Sequence, residues 1–370
     1  MKLTFPHMGY LYVPIKALLT GLGIEVVVPP RPTQRTLSLG VRYSPEFACF
    51  PLKLNLGNFI EAYQMGADTV LMAGGVGPCR FGYYAQVQRE ILKDLGYNLD
   101  LIVLEPPRGH MDDLLNQLRR LKAKASWKDV IQASRLAWKK LKAVEAIERA
   151  AHKARPRALV PAQVNRLQRS AIALVDEASD TRSIDEAVSG YKRDLLMLTK
   201  RPNGVQDGKE PPVRVGIVGE IYMVLEPFAN QNLEEMLGEL GAEVDRSIFL
   251  SDWAFHHIFL DALRIKKGGS VKEAARPYLR HFVGGEGLES VGNTVLYANK
   301  GFDGVIQVMP FTCMPEIVAQ SILVKVSKDL DIPVLHLTLD EHSGEAGLQT
   351  RLEAFVDLLR WRRRQKGVRS

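Results

Sequence analysis

Two parts of the chain alternate short apolar runs with helical patterns, and this alternation constrains the fold more than any other feature. Helical patterns cover about 12–23, 51–65 and 83–95 in the first part, and the alternation resumes after residue 212. Because parallel strands need a crossover helix between them, this order predicts βαβ units. We therefore expect an α/β fold with two doubly wound lobes and parallel sheets. The predicted strands are KLTF, EVVVPP, DTVLMA, LDLIVL, VRVGIVG, AEVDRSIF, FDGVIQVM and IPVLHLTL.

Between these two parts, from about residue 110 to 200, the sequence shows helical patterns and no strand pattern. A polar linker rich in Pro and Gly follows at 199–212. The 370 residues are enough for about two or three domains. We predict an N-terminal α/β lobe at 1–109, a basic helical segment at 110–205 and a C-terminal α/β lobe at 206–370.

The positive charge of the chain is concentrated in the helical segment. From Arg119 to Arg169 there are 15 lysines and arginines against three acids, a net of +12, whereas the whole chain carries +7 and the rest therefore about −5. Two interpretations stay open: a solvated helical face, or a docking surface for an acidic partner or a phosphate-bearing ligand. No recognised nucleic-acid-binding motif accompanies the charge, so we do not expect nucleic acid as a partner.

The composition favours a cytoplasmic protein with no membrane partner. No apolar run reaches the roughly 18 residues that a membrane span needs. The segment MKLTFPHMGYLYVP has one lysine and no clean apolar core, so it does not resemble a secretory signal. Three cysteines are too few for a disulfide framework.

Each of the three cysteines lies where a predicted helix begins. Cys49 lies in EFACFPLK, Cys79 in GGVGPCRFGYY and Cys313 in MPFTCMPE, and the last two directly follow predicted strands. Ligands of open parallel sheets bind beyond the carboxyl ends of the strands. We therefore expect all three thiols to face the cleft between the lobes, where helix N-termini favour the thiolate form.

Thiolates are soft ligands that suit zinc, Cu(I) or an iron–sulfur cluster. Structural zinc sites usually contain close pairs such as CxxC, which this chain lacks. Separations of 30 and 234 residues suit a cluster held between two folded lobes, and three cysteines would leave one iron of a cubane open. The alternative is that the cysteines are small buried hydrophobic residues.

One glycine and two acidic residues near the ends of predicted strands are further candidate site residues. Gly77 belongs to the turn before Cys79, where glycine lets the backbone approach a bulky ligand. That turn is not a phosphate loop, because no Gly-Lys-Ser/Thr follows. Glu220 and Glu345 follow strands of the second lobe and are either catalytic candidates or helix caps.

Cations and tyrosines adjoin the cysteines in sequence. Lys53 is one helical turn beyond Cys49 and Arg80 is next to Cys79, and cations close to a cluster raise its potential and anchor an anionic ligand. Tyr83 or Tyr84 can donate a hydrogen bond to a sulfide or to a bound ligand. We expect Glu316 to be an acid in the first helical turn that satisfies backbone N–H groups.

Several motifs together resemble a known family. PEFACFPLK, GGVGPCRFGYY, VGIVGEIYMVLEPFAN, DGVIQVMPFTCMPE and DEHSGEAGLQTRLEAF are similar to segments of the 2-hydroxyacyl-CoA dehydratase component family (the D-component of 2-hydroxyglutaryl-CoA dehydratase), in the branch labelled activase-related or CoA protein activase. The resemblance spans both lobes. It implies two flavodoxin-like lobes with one 4Fe–4S cluster between them, held at the positions of Cys49, Cys79 and Cys313.

The resemblance also implies partners and an activity. In such dehydratases an ATP-driven activator injects one electron, which the cluster carries to a 2-hydroxyacyl-CoA thioester. The partners expected on this basis are an ATP-dependent activator or reductase protein, a related subunit or a second copy of the chain, and an acyl-CoA. The nucleotide-binding features of the activator itself are not found in this sequence.

Two functions follow from the sequence as hypotheses. The first is a dehydratase-like lyase or reductase component that uses low-potential one-electron chemistry on an acyl-CoA or another small molecule. The alternative is a non-catalytic cluster protein that relays electrons to a partner or senses redox state for it.

Overall fold

The computed structural model contains two four-stranded sheets in which every strand pair is parallel. It describes residues 1–74, 79–104, 111–122, 125–199, 210–254 and 269–369. The strands of the first sheet are β1 (Lys2–Thr4), β2 (Glu25–Val26), β3 (Thr69–Ala73) and β4 (Asp100–Leu104). Those of the second are β5 (Val213–Gly219), β6 (Ala242–Arg246), β7 (Gly304–Pro310) and β8 (Val334–Leu339).

Both sheets have the same strand order. The first is β2-β1-β3-β4 and the second is β6-β5-β7-β8, so in each lobe the chain reverses its direction of winding between the first and third strands. The strands β5 and β7 are almost entirely buried, as expected for parallel sheets covered on both faces. The predicted α/β class with two doubly wound lobes is confirmed.

Helices cover both sheets, and a further group of helices comes between the two lobes in chain order. The N-terminal lobe contains α1 (Tyr12–Gly21), α2 (Gln34–Tyr43), α3 (Phe50–Gln64), α4 (Tyr84–Asp94) and α5 (Met111–Lys122), with a 3-10 turn at Arg80–Tyr83. The helical segment contains α6 (Trp127–Ala154), α7 (Pro161–Glu177) and α8 (Thr181–Thr199), with a 3-10 turn at Arg155–Arg157. The C-terminal lobe contains α9 (Ile221–Leu225), α10 (Leu233–Glu239), α11 (Leu250–Ala254), α12 (Ser270–Ala275), α13 (Gly287–Asn299), α14 (Met314–Asp329) and α15 (Glu345–Arg369).

Helix α3 is shared between the cores of the two lobes. Its residues from Phe50 to Ala62 are all buried. Phe50 and Leu54 pack in the core of the C-terminal lobe. Leu52 and Leu56 pack in the core of the N-terminal lobe. Because both lobes bury apolar surface against this one helix, α3 joins them.

Two glycines allow α2 and α3 to pack with their backbones in contact. A Cβ atom on Gly40 would lie 1.8 Å from the carbonyl oxygen of Lys53. A Cβ atom on Gly57 would lie 2.0 Å from the carbonyl oxygen of Thr36. No side chain fits in that space, so the crossing requires glycine on both helices.

The basic helical segment is bound to the C-terminal lobe by ion pairs. The buried guanidinium of Arg246 on β6 lies 2.6 Å from a carboxylate oxygen of Glu148 on α6 and 3.2 Å from Glu234 on α10. The ring of His152 on α6 lies 2.6 Å from Glu234. Burial favours the neutral form of Glu234, but the charges of His152 and Arg246 outweigh it and hold the pKa of Glu234 well below its usual range.

Further basic residues of the segment also meet acids of the C-terminal lobe. Arg149 lies 2.9 Å from Asp252, and Arg169 lies 3.1 Å from Glu235. The sequence left open whether the positive charge of the segment forms a solvated face or a docking surface. Part of that charge is neutralised by acidic side chains of the same chain.

In the part of the chain that the structure describes, no helix is both long enough and apolar enough to cross a membrane.

We predict that Gly40→Ala and Gly57→Ala each lower the free energy of unfolding by about 1–3 kcal/mol, because the added methyl group meets backbone atoms that cannot move aside. Gly190→Ala on α8 is the matched control, since a Cβ atom there would lie 4.0 Å from Nη2 of Arg193, the nearest atom. That change should stabilise the protein by up to about 1 kcal/mol. Urea denaturation measures all three, and equal effects at the three positions would contradict the proposed helix crossing.

Candidate functional site

The carboxyl edges of the two sheets face each other. His7 follows β1, and its Nδ1 atom lies 2.8 Å from Oε2 of Glu226, which follows α9 in the other lobe. The backbone N–H of Gly9 donates to the same oxygen over 2.7 Å. The candidate site lies in this junction, because parallel sheets bind ligands beyond the carboxyl ends of their strands, where the winding reverses.

All three cysteines occupy the residue before a helical turn begins. Cys49 precedes α3, Cys79 precedes the 3-10 turn at Arg80–Tyr83, and Cys313 precedes α14. Cys313 is buried and the other two are partly buried. In α3 and α14 a proline occupies the second helical position, where its missing N–H has no intrahelical partner to lose. The predicted positions at the starts of helices are confirmed.

Burial keeps the thiols protonated in the metal-free protein. It raises the pKa of Cys49 to about 12, and it also raises the pKa of Cys79 and of Cys313. The N–H groups of Leu52, Phe81 and Glu316 act in the opposite direction, on Cys49, Cys79 and Cys313 respectively. The N–H groups at the helix starts favour the thiolates, as expected, but the loss of solvation is larger and the net pKa of each thiol is raised.

The thiols lie within electrostatic range of one another and of one carboxyl group. The charge of Cys79 raises the pKa of Cys49, and the charge of Cys49 raises that of Cys313. The charge of Glu220 raises the pKa of all three. Within the described ranges, however, no group of three or more His, Cys, Asp or Glu side chains is arranged to hold one metal ion.

The side chains of Arg80 and Lys53 bind other groups of the same chain. The guanidinium of Arg80 donates to the carbonyl oxygens of Phe47 and Thr312. The buried ammonium of Lys53 forms an ion pair with Glu341, which lies in the loop after β8. Both cations are close to cysteines in the chain, as predicted, but each holds a loop of the protein.

The tyrosine candidates and Glu345 differ in how far they are exposed to solvent. Tyr83 is exposed, whereas Tyr84 is buried and its ring centroid lies 5.4 Å from that of Phe81. Glu345 is exposed as the first residue of α15. Gly77 lies outside the described residues.

Glu220 caps a helix and is partly buried. It precedes α9, and its carboxylate accepts a hydrogen bond of 2.9 Å from the N–H of Met223. Burial raises its pKa to about 7. Glu220 is therefore a helix cap, which was the alternative to a catalytic role in the sequence analysis. Its carboxyl group can also exchange a proton near neutral pH.

Glu316 differs from the expectation. It lies in the first turn of α14, but its carboxylate accepts hydrogen bonds from the side chains of Ser290 over 2.9 Å and Gln307 over 2.6 Å. Gln307 also bonds to His336 over 2.7 Å. Burial raises the pKa of Glu316 to about 7. The sequence pattern could not reveal these partners, because they come from α13 and from two strands.

Glu286 is a site residue that sequence reasoning missed. It precedes α13 in the segment VGGEG, and the charges of Glu220 and Glu316 add to its burial to raise its pKa well above the usual value. The glycine-rich turn before a helix was the available signal. Together these carboxyl groups give the junction an acidic lining whose pKa values lie above the usual carboxyl range.

Comparison with known proteins gives no family assignment: no protein-family model matches the chain, and no curated protein shows significant similarity to it. The resemblance drawn from the motifs therefore stays a prediction.

We predict that Glu220→Gln changes how stability depends on pH. The pKa of Glu220 is about 7 in the folded protein and about 4.3 in an unfolded chain. The folded protein therefore binds the proton more tightly than the unfolded chain does. Its contribution to stability is therefore full below about pH 4.3 and is lost as the pH rises through about 7. Between pH 5 and pH 8 the wild type should lose about 2–3 kcal/mol more than the variant.

Urea denaturation of the metal-free protein at the two pH values measures this difference. Glu345→Gln, which removes an exposed carboxyl group, is the matched control. If the free energy of unfolding changed equally with pH in the wild type and in Glu220→Gln, the raised pKa of Glu220 would be contradicted.

Proposed function

We propose that the chain binds one 4Fe–4S cluster between its lobes through Cys49, Cys79 and Cys313, and that it acts in low-potential one-electron chemistry on an acyl-CoA or another small molecule. The observation that carries the proposal is the meeting of three thiol-bearing turns at the junction of the two carboxyl edges. The motif resemblance, which covers all three turns, supports it.

The donor set suits such a cluster chemically. Three thiols are soft ligands of the kind that hold iron–sulfur clusters. They are protonated in the metal-free protein because they are buried, so binding must release protons. Cluster uptake should therefore improve as the pH rises. The raised pKa values of the carboxyl groups near the thiols allow these groups to take up protons as thiolates and sulfides bring in negative charge.

A bound cluster would supply single electrons and one iron that no protein thiolate holds. The chain itself supplies a proton-exchanging group at the same junction. The carboxyl group of Glu220 is held by the N–H of Met223 and has a pKa of about 7, which suits a general acid or base near neutral pH. We propose Glu220 as the acid–base group of the reaction.

The exposed surface beside the thiols favours a second candidate function, electron relay. Phe47, Tyr83 and Phe311 lie within four residues of the three cysteines and are 70%, 74% and 60% exposed. Exposed aromatic side chains are typical of surfaces that dock another macromolecule. The candidate partners are an ATP-dependent activator or reductase protein, a related subunit, or a second copy of the chain.

We predict about four irons and four sulfides per chain after anaerobic reconstitution. Cys49→Ala, Cys79→Ala and Cys313→Ala should each weaken or abolish this uptake, because each removes one ligand. Arg89→Ala is the control, since Arg89 is partly exposed on α4 and its guanidinium donates locally to Gln86. Full iron content in all three cysteine variants, or stoichiometric zinc with no iron, would contradict the proposal.

The spectrum of the reduced cluster distinguishes the two functions. If the chain is an enzyme component, an added acyl-CoA should change the electron paramagnetic resonance signal, and Glu220→Gln should slow turnover without loss of iron. If no acyl-CoA or hydroxyacid changes the signal and a docked protein partner does, electron relay is the better description.

A further inference from the structure

One side chain contacts the turns that carry all three cysteines. Arg80 directly follows Cys79. Its Nη1 atom donates to the carbonyl oxygen of Phe47, two residues before Cys49, over 2.9 Å. Its Nη2 atom donates to the carbonyl oxygen of Thr312, directly before Cys313, over 2.7 Å. The two ends of one guanidinium therefore hold backbone from both lobes.

The turn before Cys313 adopts a backbone conformation that its sequence disfavours. The N–H of Cys313 donates to the carbonyl oxygen of Pro310 over 3.1 Å and closes a four-residue turn. Thr312, the third residue of this turn, has a φ of 67°. Positive φ at that place usually requires glycine or asparagine, and a β-branched residue there is strained. Such strain persists only where the surroundings impose the conformation.

Arg80 supplies part of that restraint. Besides the carbonyl group, its Nη2 atom donates to Oγ1 of Thr312 over 2.8 Å. Oγ1 of Thr312 lies 3.5 Å from the carbonyl oxygen of Phe47, which closes the set of contacts. The carbonyl oxygen and the hydroxyl group of the strained residue are thus bound by the same guanidinium.

We infer that Arg80 is a positioning residue, which fixes the three cysteine turns relative to one another before any ligand binds. This inference rests on the three-thiol site of the proposed function, but it concerns the protein without metal. Arg80 acts through geometry rather than charge. A planar guanidinium reaches two carbonyl groups at once, whereas a lysine ammonium on its flexible stem cannot reproduce that fork.

Alkylation of the metal-free protein by iodoacetamide tests the inference without iron. The reagent forms a C–S bond with the thiolate and releases iodide, so its rate at each cysteine reports how often that thiol is exposed and ionised. Cys313 is buried in the wild type and should react slowly. Peptide mapping by mass spectrometry gives the rate at each of the three cysteines.

The variants Arg80→Lys and Arg80→Ala separate geometry from charge. We expect both to speed alkylation of Cys313 by about tenfold or more, because the strained turn before it opens more often, while the melting temperature changes by only a few degrees. Arg89→Ala is the matched control and should react like the wild type. A wild-type rate at Cys313 in Arg80→Lys would overturn the inference. So would a faster rate that a stabilising osmolyte reverses by raising the melting temperature.

Failure of the inference and failure of the proposed function give different results. An alkylation rate at Cys313 that depends on Arg80, without assembly of an iron–sulfur cluster, supports the positioning role and rejects the function. A cluster that assembles equally well in the wild type and in Arg80→Lys, together with equal alkylation rates, supports the function and rejects the positioning role. A wild type in which Cys313 reacts as fast as an exposed thiol rejects the positioning role as well.

Discussion

The burial of α3 by both lobes is the constraint on which the rest of the structure depends. A helix covered on every side must pack closely, and Gly40 and Gly57 allow α2 to approach it at backbone distance. Because α3 begins directly after Cys49, the packing that joins the lobes also fixes one cysteine at their junction. The position of the candidate site is therefore a consequence of core packing.

The same burial sets the chemistry of the junction. Thiols and carboxyl groups that are removed from water become harder to ionise, which is why the pKa of Cys49 rises to about 12 and that of Glu220 to about 7. A site of this kind holds its protons until a ligand displaces them. The charge of Arg80 lowers the pKa of Cys49 and of Cys79, but burial outweighs it, and the ammonium of Lys53 is paired with Glu341.

The sequence predicted the sheets well because strand signals are local. The run VRVGIVG predicts β5 at its observed bounds, and the three cysteine turns follow from the same strand and helix boundaries. Helix α2 was missed because its sequence, QRTLSLGVRY, lies between proline-containing segments and includes Gly40, which only its packing against α3 explains. The partners of Arg80 are 33 and 232 residues away in the chain, so no local pattern could predict them.

The central claim is that three thiols from two lobes hold one cluster. Mössbauer spectroscopy of protein reconstituted with ⁵⁷Fe tests it most directly, because the method distinguishes irons by their ligands. We predict a cubane in which three irons share one environment and a fourth differs, since only Cys49, Cys79 and Cys313 supply thiolates. A spectrum of isolated iron ions, or of four equivalent irons in a cluster that survives Cys→Ala substitution, would contradict the account.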